Sequence, residues 1–256
     1  MSDAPGVPVL TLDGPVATIR LNRPAVHNRI EPPDIAELLR LCDAVDADKS
    51  LRVLVITATG KSFSSGFHIG EIGGGASESA APGFEDLTDR VEACRVPTIC
   101  ALNGGVYGGS TDLALACDFR IGVAGMSMFM PAARLGLHYY PGGMRRYVSR
   151  LGVDTAKRLF LLAERLDAAE LLRIGFLTEL VEPDALAPTV AARAATLAAN
   201  APIAVQGMKI ALNTIARGDT DFTAIMETIR INRHSVDLKE GQKAWMEKRP
   251  PRFIGA

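Results

Sequence analysis

The sequence predicts an α/β protein with a helical C-terminal extension, and three observations carry that expectation. The stretches LRVLVITATG (51–60) and PTICALNG (97–104) are unbroken apolar runs, as strands covered on both faces show. Amphipathic helical patterns separate such runs, which is what a layered strand–helix architecture requires. From Gly142 onward, helical patterns follow one another.

Each element has its own signal. In VATIRLN (16–22), Ala17, Ile19 and Leu21 alternate with Thr18, Arg20 and Asn22, the period of a half-buried strand. Pro24, Pro32 and Pro33 break the next stretch into a loop. Residues 34–46 place Ile35, Leu38, Leu39, Cys42 and Val45 on one helical face. Residues 60–75 read as loop and 84–95 as helix. STDLALACD reads as a short buried helix beginning near Ser110, and FRIGV as a strand. Helical patterns then cover 142–151, 155–162, 168–174, 186–199, 203–216 and 222–236. The division expected is a core over 1–190 and a helical region over 191–256.

Composition narrows the function. The chain has 256 residues, is 48% hydrophobic and carries a formal net charge of −1, so it has no basic excess of the kind nucleic-acid binding shows. Its N-terminus lacks the pattern of a signal peptide, and no apolar run nears the ~20 residues of a membrane span. The expectation is a cytoplasmic protein without membrane or nucleic-acid partners. Cys42, Cys94, Cys100 and Cys117 fall at no metal-binding spacing and read as small buried hydrophobes. His27, His68, His138 and His234 have no i,i+4 pair, so no metal is expected. The GKS at 60–62 lacks the earlier glycine of a phosphate loop, since Val55 stands there.

Two glycine-containing loops remain, each after a buried strand: FSSGFHIGEI (63–72) and NGGVYGG (103–109). Glycine permits positive φ and close approach of a ligand to the backbone. Two strand ends, each with an exposed N–H, suit an oxyanion hole. Tight turns without chemistry explain the residues equally well at this point.

FSSGFHIGEI followed by ALNGGVYGGSTDLALACDFRIG resembles the enoyl-CoA hydratase/isomerase family, also called the crotonase superfamily. NRPAVHN, MPAARLGLHYYPGGMRRYVSRLG and the terminal EKRPPRFIGA fit the same family in the same order. The resemblance implies a spiral of repeated ββα units with a C-terminal trimerisation region, in a homotrimer or dimer of trimers. It implies an acyl-CoA thioester substrate, with coenzyme A carried by the substrate and no separate cofactor. Backbone N–H groups of Phe67 and Gly109 would hold the thioester oxygen. Val26, Arg29, Ser65, Phe67, His68, Ile69, Gly108 and Gly109 would line the substrate's path. The 73–83 loop would contribute to acyl specificity.

The family's hydratases carry two glutamates. Here Asp112 and Ala132 stand at the matching positions, so one carboxylate is shortened and the other is absent. Asp112, His138, Tyr139, Tyr140 and His68 are the candidates for the missing acid–base work. The expectation is an enzyme of hydratase type. The alternatives are a decarboxylase similar to methylmalonyl-CoA decarboxylases, a thioester hydrolase, and a non-catalytic acyl-CoA-binding subunit.

Overall fold

The computed structural model describes residues 6–68, 70 and 82–256. Strands β1 (Val9–Asp13) and β2 (Val16–Leu21) form an antiparallel hairpin. Helix α1 (Pro32–Ala47) then leads to β3 (Val53–Ala58) and the short β4 (Ser62–Ser64). The next units are α2 (Phe84–Glu92), β5 (Thr98–Leu102) with β6 (Gly105–Tyr107), and α3 (Ser110–Ala116). They are followed by β7 (Phe119–Val123), β8 (Ser127–Phe129) and α4 (Pro141–Leu151). Helix α5 (Val153–Leu161), β9 (Arg165–Asp167), α6 (Ala168–Arg173) and β10 (Glu179–Val181) complete the sheets. Helices α7 (Leu186–Ala199), α8 (Pro202–Ala216), α9 (Thr223–Arg233) and α10 (Val236–Glu247) end the chain.

One sheet has the order β1-β2-β3-β5-β7-β10 and a second has β4-β6-β8-β9. From β2 to β10 the larger sheet is parallel. The sequence therefore winds through three turns of large-sheet strand, small-sheet strand and helix: β3-β4-α2, β5-β6-α3 and β7-β8-α4. This is the ββα spiral the resemblance implied. The apolar runs of β3 and β5 are buried throughout, apart from half-buried Thr57, because layers cover both faces.

Two expectations need correction. The 222–236 segment is not one helix. The chain breaks at His234, and Ser235 caps a new helix by accepting a hydrogen bond from the Leu238 N–H at 3.0 Å. The 60–75 loop contains a strand, β4, too short for its alternation to show. The 190/191 boundary falls within α7, a helix packed on β3, β5 and β7. All four cysteines are free and buried. Among the described residues, no helix is long and apolar enough to cross a membrane.

Candidate active site

The two glycine loops meet. Phe67 bridges Ile30 in parallel fashion: Ile30 N–H donates to Gly66 O at 2.9 Å, and His68 N–H donates to Ile30 O at 3.1 Å. In that pattern Phe67 turns its own N–H away from Ile30. The preceding residue, Gly66, lies against the 107–109 backbone. A Cβ on Gly66 would sit 2.7 Å from Tyr107 O and 3.2 Å from Gly109 N, and Gly66 has φ +94°. Only glycine lets the loops approach so closely. Gly109 ends the second loop at the start of α3, where helix N–H groups have no intrahelical acceptor.

Buried hydroxyls tie the loops together. Ser110 Oγ donates to Ser64 Oγ at 2.6 Å, and Gly66 N–H donates to the same oxygen at 3.1 Å. Ser64 Oγ in turn donates to Asn28 O at 2.7 Å. Both serines are fully buried, and Ser64 uses its donor and both acceptor positions.

Beside the loops lies a cavity of about 250 Å³. Its walls include Phe67, Phe84, Met130, Ala132, Leu137 and Tyr140. Ser65, Gly108, Gly109, His138 and Tyr139 also face it. The structure thus gathers most of the sequence-derived candidates around one space.

Asp112 stands one layer behind the wall. It is fully buried, and its two oxygens accept from Arg146 Nε at 2.9 Å and Arg146 Nη2 at 2.7 Å. Tyr140 Oη donates to Asp112 Oδ2 at 2.6 Å and accepts from Tyr139 Oη at 3.1 Å. The hydroxyls form a chain running from the cavity to the carboxylate. Burial, then the Asp112 charge, pushes the Tyr140 phenol above its usual range, and the same two causes raise Tyr139. Both stay protonated. Burial lowers the Arg146 guanidinium, but its bonds to Asp112 and Asp89 more than offset this, so it stays charged. Thr88 and Asp89 of α2 accept its remaining N–H groups at 2.7 and 2.6 Å.

His138 is exposed at the rim, and its Nδ1 donates to Tyr139 O at 2.9 Å. In the neutral ring this leaves Nε2 as an acceptor. Ser65 Oγ donates to Val26 O at 3.3 Å, which places Val26 near the mouth. Arg29 is paired with Glu31 at 2.6 Å, and this bond holds the Glu31 carboxyl below its usual range. His68 lies outside the cavity wall. Ile69 and residues 73–81 fall outside the described residues.

Sequence reasoning missed Arg146, Phe84 and the Ser64–Ser110 pair. Arg146 did leave a signal: it shares the buried stripe of α4 with Gly142, Gly143 and Tyr147. A charge on that stripe calls for a buried partner.

Residues 12–256 match the family described as Enoyl-CoA hydratase/isomerase. A crotonyl-CoA hydratase of Syntrophomonas wolfei is 32% identical over 96% of this chain and 97% of its own length. A short-chain-enoyl-CoA hydratase of Clostridium acetobutylicum is 30% identical, covering 94% and 95%. An enoyl-CoA hydratase/carnithine racemase structure from Magnetospirillum magneticum superimposes with a TM-score of 0.88 at 26% identity, covering 98% and 96%.

Proposed function

This chain belongs to the enoyl-CoA hydratase/isomerase family, and from that premise we propose that it hydrates an enoyl-CoA thioester through an enolate held by the Phe67 and Gly109 amides. The observation that carries this reading is the approach of Gly66 to the Tyr107–Gly109 backbone beside an apolar cavity. Two preorganised N–H donors at the thioester oxygen draw electron density from the β-carbon and stabilise the enolate that water addition creates. Coenzyme A enters with the substrate, past Val26 and Ser65.

Proton transfer runs through Tyr140. The attacking water gives its proton to Tyr140 Oη as the tyrosine proton passes to Asp112, so the buried carboxylate acts without entering the cavity. Reversing the relay returns a proton to the α-carbon. Arg146 is a positioning residue that fixes Asp112. His138 Nε2 is a further acceptor at the rim. The apolar residues exposed on α8–α10, among them Met208, Leu212, Met226 and Trp245, support assembly into the homotrimer or dimer of trimers.

A second reading, decarboxylation, is favoured by one observation: Ala132 supplies no carboxylate and Asp112 is already engaged. Decarboxylation asks only for enolate stabilisation. Incubation with a panel of acyl-CoA thioesters, followed by mass spectrometry, separates the readings. Hydration adds the mass of water and is lost in Asp112→Ala. Loss of CO₂ without water gain supports the second reading, and an unreacted panel overturns both.

A further inference from the structure

Resting on the enoyl-thioester reading, we infer that the acyl group this site accepts ends in an aromatic ring, as in a 3-aryl-2-enoyl thioester. Size is the first ground. The cavity measures about 250 Å³, whereas an apolar cavity of about 150 Å³ takes up benzene. The space beside the Gly109 amide therefore holds a ring together with the two carbons that join it to the thioester. A four-carbon acyl group leaves much of the wall without contacts.

The chemistry of the walls is the second ground. Phe67 and Phe84 form a tilted pair with centroids 5.9 Å apart, and Tyr140, stacked on Tyr139 at 4.3 Å, also faces the cavity. Offset and tilted ring contacts add attraction that an alkyl chain does not receive. Met130 offers a sulfur suited to a ring edge. The Phe84 ring lies against the proposed donor itself, since a Cβ on Gly109 would meet it at 2.9 Å. An acyl group held at Gly109 therefore has an aromatic ring beside it.

Charge is the third ground. Among the described residues that line the cavity, none is Asp, Glu, Lys or Arg. A carboxylate on the acyl group would lose its water without gaining a cation. This argues against a malonyl-type substrate and so against the decarboxylase reading. Ala132 sets the depth, because its single methyl leaves room where a longer side chain would fill the wall.

The test compares crotonoyl-CoA, trans-2-octenoyl-CoA, 3-phenylpropenoyl-CoA and methylmalonyl-CoA, by kcat/KM and by calorimetric binding. The expected result is a kcat/KM at least tenfold higher for 3-phenylpropenoyl-CoA than for the other three. Ala132→Phe is expected to reduce that ratio at least tenfold. The wild-type comparison stands even if this variant fails to fold. The inference falls, while the thioester reading survives, if crotonoyl-CoA or octenoyl-CoA is turned over as well as the aryl thioester. If no thioester binds at all, the reading and the inference fall together.

Discussion

Adding one methyl group at Gly66 bears on both stability and rate. In Gly66→Ala the new carbon would lie 2.7 Å from Tyr107 O, a backbone atom held in β6. Ordinary contact begins near 3.4 Å, so the two loops must part by about 0.7 Å. A donor drawn back by ~0.7 Å from an ordinary ~2.9 Å makes a contact of ~3.6 Å, which is no longer a hydrogen bond. Loss of one oxyanion donor lowers kcat by about 10²–10³. Alanine at φ +94° adds backbone strain of about 1–3 kcal/mol, or roughly 2–12 °C in Tm for a chain near this size. Gly125→Ala separates the two effects. That residue has φ +80° with nothing within 4 Å, so it carries the strain without the clash. Thermal melting and enoyl-thioester turnover are measured on both variants. Both should lose stability, and only Gly66→Ala should lose the rate. A folded Gly66→Ala protein with kcat within a few-fold of wild type refutes the reasoning.

Other consequences follow from the network behind the cavity and from the C-terminal tail. Arg146→Met removes the buried partner of Asp112 and should cost about 3–5 kcal/mol in denaturant unfolding; a change below 1 kcal/mol would show that the pair is not structural. Tyr140→Phe breaks the path from the cavity to Asp112 and should lower kcat by about 10²–10⁴ with little change in KM; a normal kcat removes the relay. Because burial and Asp112 raise the Tyr140 pKa, the pH–rate profile should have no alkaline fall near 10 that Tyr140→Phe abolishes. Glu240 is held at about 2 by its bonds to Arg249 and the Arg252 N–H. Its folded pKa is depressed, so the contribution to stability is present above the ordinary carboxyl range and is lost as pH falls through about 2. An NMR titration of the Glu240 carboxyl that gives an ordinary midpoint would contradict this anchoring of the tail.

Strands β3 and β5 of the large sheet were legible because burial on both faces leaves long apolar runs, as in Val53–Ala58 and Thr98–Leu102, and β2 by its alternation, while the edge strands β1 and β10 went unread. β4, β6 and β8 are three residues each, too short for a period of two to register. α10 was hidden by its surface charges, although Ser235 is an ordinary capping residue. The glycine loops declared themselves by composition, but their meeting depends on a parallel bridge between Ile30 and Phe67 that no local pattern encodes. The cavity is harder still to read. Phe84 opens the helix of the first turn of the spiral whereas Met130 and Leu137 belong to the third, and only the winding brings their apolar side chains to one wall. Asp112 was found by its position, whereas its burial behind Tyr140 required knowing that Arg146 faces inward.

A crystal structure of the protein with a non-reactive acyl-CoA thioester analogue bears on the oxyanion hole without intermediaries. The Phe67 and Gly109 nitrogens should both lie about 2.7–3.1 Å from the thioester oxygen. An oxygen bonded to neither nitrogen, with the acyl chain seated outside the aromatic cavity, would contradict the reading.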